Sequence, residues 1–108
     1  MGNHVLTKED IVSLVHGESS RLIKLGVRSI GLFGSFARDQ ALPESDVDIL
    51  VEFHPDKKTF DNFMDTCFLL EELFGRKVEV VTPESMSPYI RPYIEKELEY
   101  VWPDVWTH

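Results

Sequence analysis

A single cysteine, Cys67, excludes an internal disulfide framework and fits a reducing compartment. Long apolar runs are also missing. No stretch approaches the roughly 18 residues needed to span a bilayer, and the N-terminal MGNHVLTKED has no apolar segment of the kind a secretory signal requires. These absences lead to the expectation of a small cytoplasmic domain with no membrane role. Positive charge is scarce too, with 11 Lys and Arg against 19 Asp and Glu for a net charge of −8. That balance argues against direct, sequence-independent binding of nucleic acid, which needs a face rich in Lys and Arg. What remains is 108 residues that are 43% apolar, enough for one core and one domain over 1–108.

The negative charge is unevenly placed. The first 45 residues carry five basic and five acidic side chains, so the whole excess falls after Ser45. Most of those carboxylates read as an ordinary solvated surface. The question is whether a few are gathered for chemistry.

Periodicity and punctuation predict an α/β (α+β) domain, with a small mixed sheet flanked by helices in the order α-β-(short α)-β-α-β-α. Thr7 and Asp10 form a capping-box pattern. Ile11, Leu14, Val15, Leu22 and Ile23 follow at near-helical spacing, predicting a first helix over 8–25 that ends at Gly26. Val27–Phe33 (VRSIGLF) reads as a buried strand that runs into Gly34-Ser35, and the stretch after this pair is a candidate short helix. In Asp46–Phe53 (DVDILVEF), Val47, Ile49, Val51 and Phe53 share one face, and Asp46 and Asp48 share the other. Phe60, Phe63, Met64, Cys67, Leu70 and Phe74 define a second long helix stopped by Gly75, which makes Cys67 a packing residue rather than a nucleophile. Lys77–Val81 is a third strand, with Glu79 opposite Val78 and Val80. Thr82-Pro83-Glu84 and Ser87-Pro88 carry helix-start signals, and Ile90, Ile94 and Leu98 continue a helical face.

The chemistry concentrates in two places. Carboxylates at i and i+2 of a strand lie on one face about 6.6 Å apart along the chain, close enough for their oxygens to converge on one hard cation. Upstream, Gly34 lets backbone N–H groups approach an anion and Ser35 adds a hydroxyl. Arg38, three residues on, offers a planar fork to a phosphate oxygen. A Gly-Ser pair alone is usually a turn, and two Asp on a strand are often only its polar face. Together they supply both halves of a metal–triphosphate site.

The segment GLFGSFARDQALPESDVDILVEF resembles the signature of the nucleotidyltransferase superfamily that includes DNA polymerase beta, in which a Gly-Ser motif precedes an acidic pair on the next strand. The spacing, Arg38 and the chain length are most similar to its minimal nucleotidyltransferase (MNT) branch, and the resemblance covers about residues 10–101. It implies that Asp46 and Asp48 hold two Mg²⁺ ions. The family's third carboxylate falls on Glu79, where Asp is commoner, completing a catalytic and metal-binding set of Asp46, Asp48 and Glu79. Gly34, Ser35 and Arg38 are then the nucleotide-binding residues for ATP. Chains of this size in the branch are often antitoxins of HEPN/MNT toxin–antitoxin pairs, and YIRPYIEKELEYV is similar to their tails. The implied reaction is transfer of AMP from ATP to a tyrosine hydroxyl of a partner HEPN ribonuclease toxin. The alternatives are a non-catalytic antitoxin that neutralises by binding, and a nucleotidyltransferase acting on a small molecule. With the length spent on one domain, the acceptor surface is expected on a partner or a second copy, making a homo- or hetero-oligomer.

Other residues carry less. His4, His16, His54 and His108 lack metal-ligand spacing and read as surface residues. Tyr89, Tyr93 and Tyr100 read as half-buried packing, and Phe36 as support beneath the Gly-Ser loop. Trp102 and Trp106, in a tail over 102–108, either belong to an interface or fold back over the sheet.

Overall fold

The computed structural model describes residues 6–104. Thr7 caps the first helix, α1 (Lys8–His16), with its side chain accepting the Asp10 N–H while Asp10 accepts the Thr7 N–H. The expected 8–25 helix is broken at Gly17-Glu18 into α1 and α2 (Ser19–Lys24). Glycine is a weak helix residue, and Ser19 spends its hydroxyl on the His16 carbonyl across the break, at 2.8 Å. The break also turns the helical face, so Leu14 and Ile23, expected in the core, are exposed.

Strand β1 (Val27–Phe33) follows the reading from sequence, and β2 (Val47–Phe53) begins one residue after Asp46. Between them, residues 34–39 make turns rather than the short helix expected after the Gly-Ser pair. Thr59 caps α3 (Phe60–Phe74), which leads into β3 (Val78–Val81). Thr82-Pro83 opens one short 3-10 turn. The last helix, α4 (Arg91–Glu97), carries Pro92 in its first turn, where a missing N–H costs nothing. A fourth strand, β4 (Glu99–Trp102), follows where the reading from sequence ends on a helical face through Leu98 and has no further strand. Leu98 explains the misreading. It keeps the helical spacing from Ile94 and packs with it, but its ψ of 131° has already turned the chain into extended structure.

The sheet order is β3-β2-β1-β4, with β2/β3 parallel and the other pairs antiparallel. One face carries the main core, in which Ile30, Leu32, Val47, Ile49 and Val51 meet Ile11, Val15, Leu22, Leu69 and Leu70 of the helices. The other face holds a smaller cluster of Phe33, Leu50, Met86, Ile94 and Leu98. Trp102 is buried in the main core and donates its indole N–H to Ser19 Oγ at 2.9 Å, so this tryptophan folds back onto the body; Trp106 lies outside the described residues. Phe36 packs beneath its loop, 3% exposed. Cys67 is only half-buried, and burial, with Glu71 nearby, pushes its thiol pKa up, consistent with an unreactive packing residue. Tyr89 and Tyr93 depart from expectation in being exposed, at 85% and 74%. Among the described histidines, His16 and His54 are exposed, and His16 Nε2 hydrogen-bonds to the Val101 carbonyl oxygen at 2.8 Å. No helix among the described residues is long and apolar enough to cross a membrane.

Candidate active site

The site lies on the face of the smaller cluster, at the end of the sheet where β1 gives way to its loop. Alternation along β2 puts Val47 and Ile49 into the main core and Asp48 on the opposite face. Asp48 is paired in register with Phe33, the residue before Gly34, and on its other side with Glu79 of β3. The Gly-Ser loop and two of the three expected carboxylates are thereby adjacent, although they are distant in sequence.

Gly34 is required twice over. Its φ of +78° lies in the left-handed region, and a Cβ there would stand 2.0 Å from Asp48 Oδ2. Only a hydrogen fits between loop and carboxylate. After Gly34 the chain makes one helical turn, with the Arg38 N–H donating to the Gly34 carbonyl at 3.1 Å and the Gln40 N–H donating to the Ser35 carbonyl at 2.8 Å. That turn brings Arg38 back over the start of the loop.

Asp46, just outside β2, is exposed, as is Glu79, while Asp48 is half-buried. Burial, and then the like charges of Glu79, Asp46 and Glu97, push the Asp48 pKa up, against a smaller opposing pull from Arg38. The donor set fits a hard divalent cation, since it is all carboxylate oxygen and one member is destabilised by its neighbours. The three are not closed into a cage, however. Among the described residues, no group of three or more His, Cys, Asp or Glu stands close enough together to hold a metal ion.

Two residues escaped the sequence reading. Glu97, the last residue of α4, accepts the Gly34 N–H through Oε1 and an Arg38 N–H through Oε2, both at 2.9 Å. No local signal marks it, because it meets the loop from 63 positions away. Arg76, between α3 and β3, donates to the Ser45 carbonyl at 3.0 Å, and its guanidinium lies 5.3 Å from the Phe36 ring centre. It ties both ends of the 34–45 loop to the sheet. By contrast, a groove of about 500 Å³ lined by Arg21, Lys24, Asp65, Phe68 and Glu72 contains none of these residues.

Known proteins resemble this chain in sequence and in fold. The family described as the nucleotidyltransferase domain matches residues 17–101. The chain is 37% identical over 98 residues to the protein adenylyltransferase MntA of Thermococcus cleftensis, covering 90% of this chain and 98% of that one. Its fold is similar to that of a candidate minimal nucleotidyltransferase of known structure, with a TM-score of 0.75, 28% identity, and coverage of 90% of this chain and 97% of that chain. It is also similar in fold, at a TM-score of 0.52 and 21% identity over 79% of this chain and 69% of that chain, to a structure of tri-AMPylated Shewanella oneidensis HEPN toxin in complex with MNT antitoxin. With the family matched over most of its length, the chain belongs to the nucleotidyltransferase-domain family and is a nucleotidyltransferase.

Proposed function

We propose that this protein transfers AMP from ATP to a hydroxyl of a partner protein, a tyrosine of a HEPN ribonuclease toxin, and thereby acts as its antitoxin. The observation that carries the reading is the close approach of Gly34 to Asp48, which sets the Gly-Ser loop directly against the Asp48 carboxylate. The relative named as a protein adenylyltransferase, matched over nearly its whole length, supports a protein acceptor. Exposed Tyr89 and Tyr93, on the segment that leads into and forms α4, offer the kind of aromatic surface a protein partner covers.

In this reading Gly34 and Ser35 receive the triphosphate through backbone N–H and hydroxyl, and Arg38 neutralises part of its charge. Asp46, Asp48 and Glu79 would hold Mg²⁺, two ions if the site fills as the resemblance implies. When bound, Mg²⁺ would supply Lewis-acid stabilisation of the charge that develops during transfer. The acceptor oxygen forms a bond to the α-phosphorus as the bond from that phosphorus to the bridging oxygen breaks, and pyrophosphate leaves. The hydroxyl proton passes to a carboxylate of the set, for which Glu79, exposed and next to Asp48, is the best placed. The remaining contribution is positioning, as expected for phosphoryl chemistry.

Incubating the purified chain with Mg-ATP and its cognate HEPN protein, then weighing both proteins intact, tests this. The toxin should gain AMP and lose ribonuclease activity. A toxin of unmodified mass overturns the proposal. Asp46→Ala with Asp48→Ala should abolish the transfer; neutralisation that survives in this folded variant would instead mark inhibition by contact, and AMP transfer without any protein acceptor would mark a small-molecule substrate.

A further inference from the structure

Glu97 engages the two groups assigned above to the triphosphate. One carboxylate oxygen takes the Gly34 N–H and the other takes Arg38, each at 2.9 Å. A backbone N–H beside a guanidinium is a general anion-binding pair, and a carboxylate uses the same donors as a phosphate oxygen. We propose that Glu97 is a built-in anionic occupant of the phosphate seat, which must swing out before nucleotide can bind. The inference rests on the reading of Gly34 and Arg38 as nucleotide ligands.

Three observations favour a displaceable occupant over a structural strut. First, Glu97 adds a negative charge beside Asp48, among carboxylates that already repel one another, so the Arg38 and Gly34 bonds hold it against that repulsion. Second, its attachment is one-sided. The next residue, Leu98, is 5% exposed and packs so closely on Gly31 that a Cβ there would stand 2.6 Å from Leu98 Cδ1. The backbone at this turn is therefore anchored, while the Glu97 side chain, 27% exposed, can leave by rotation about its own bonds. Third, Arg38 is 47% exposed and its other side-chain bond goes to exposed Gln40 at 3.2 Å, so the pair lies at the surface and not in the core.

The consequence is measurable. A seat that is open for only about one-tenth of the time weakens apparent nucleotide affinity about tenfold. Arg38 also changes partner when nucleotide enters, which makes Glu97 a positioning residue for Arg38 in the empty protein and a competitor of the triphosphate in binding.

The test is calorimetric titration of ATP with Mg²⁺ into the full chain, its Glu97→Gln variant, and a Glu95→Gln control that removes one charge from the same helix. Glu97→Gln keeps the size of the side chain but turns an amide N–H₂ toward Arg38, which opens the clamp. Binding should tighten about three- to tenfold in Glu97→Gln and change less than about twofold in Glu95→Gln. Glu97→Asp, one methylene shorter and unable to bridge both donors, should move in the same direction and serves if the Gln variant does not fold. The Gly34 amide NMR resonance gives a second readout. It should differ between wild type and Glu97→Gln without nucleotide and coincide at saturating ATP. Unchanged or weaker binding in the variants overturns the proposal, since weaker binding would mean that Glu97 holds Arg38 ready for phosphate. A Gly34 difference that persists at saturation overturns it as well. If neither wild type nor variant binds ATP, the nucleotide-site reading itself fails and this inference falls with it; a wild type that binds with no gain in Glu97→Gln refutes the occupant alone.

Discussion

Replacing Gly34 by alanine probes the contact on which the site depends, and Gly75→Ala provides its control. Both glycines have left-handed φ values, +78° and +65°. An alanine in that region costs about 1–2 kcal/mol from backbone strain alone. At Gly75 nothing lies within 4 Å of the added Cβ, so strain is the whole effect. At Gly34 the same Cβ meets Asp48 Oδ2 at 2.0 Å, Cγ at 2.9 Å and Cβ at 3.1 Å. That overlap can be relieved only by driving the carboxylate aside or parting β1 from β2, and overpacking of this kind adds about 1–3 kcal/mol. For a domain of this size each kcal/mol lowers Tm by about 4–8 °C. Gly34→Ala should therefore melt well below Gly75→Ala by calorimetry, and it alone should lose nucleotidyl transfer. On an Asp48→Ala background the first two overlaps vanish and 3.1 Å remains, so the Gly34→Ala increment should shrink toward the Gly75 value, as a double-mutant cycle would register. Equal Tm for the two single variants, or full transfer activity in Gly34→Ala, would refute the reasoning.

Gly31→Ala should destabilise the protein by about 1–3 kcal/mol in chemical denaturation, because its Cβ would press on buried Leu98 at 2.6 Å. Asp48→Asn should raise Tm at neutral pH in metal-free buffer. The folded state holds the Asp48 pKa above its ordinary 3.8, so ionisation costs stability once the pH passes above that value. The gain should fade as pH falls toward 3.8, and a gain that persists there would count against the assigned cause. Cys67 should react with iodoacetamide near pH 8 more slowly in the folded protein than in urea, since burial and Glu71 hold its thiol pKa above 9.0; equal rates, followed by intact mass, would contradict this.

How far the site could be read from sequence depends on the range over which each signal acts. The DVD strand, the Gly-Ser pair and Arg38 lie within fifteen residues of one another, so the pattern they form is legible without coordinates. Strand alternation assigns Asp48 to the face opposite the main core because side-chain direction has a period of two. Capping at Thr7 is equally local and is present as read; the cap at Thr59 carries the same kind of local signal but was not drawn from the sequence. The misreadings share another origin. Gly17 breaks a helix whose apolar spacing runs on through it, and β4 exists because the open edge of β1 accepts Glu99–Trp102 as a partner. Hydrogen-bonding of an edge strand is satisfied from elsewhere in the chain, so no nearby residue announces it.

The sequence by itself thus determined which residues to propose as ligands for metal and phosphate, because that choice depends on residue type and on short-range spacing. Only the tertiary structure decided what stands beside them. The pairing of β1 with β2 presses Gly34 against Asp48, the parallel pairing of β2 with β3 delivers Glu79, and the packing of Leu98 on Gly31 brings Glu97 onto Gly34 and Arg38. The physical reason is that contacts between distant segments are set by strand register and by close packing of small residues, and neither leaves a periodic trace along the chain.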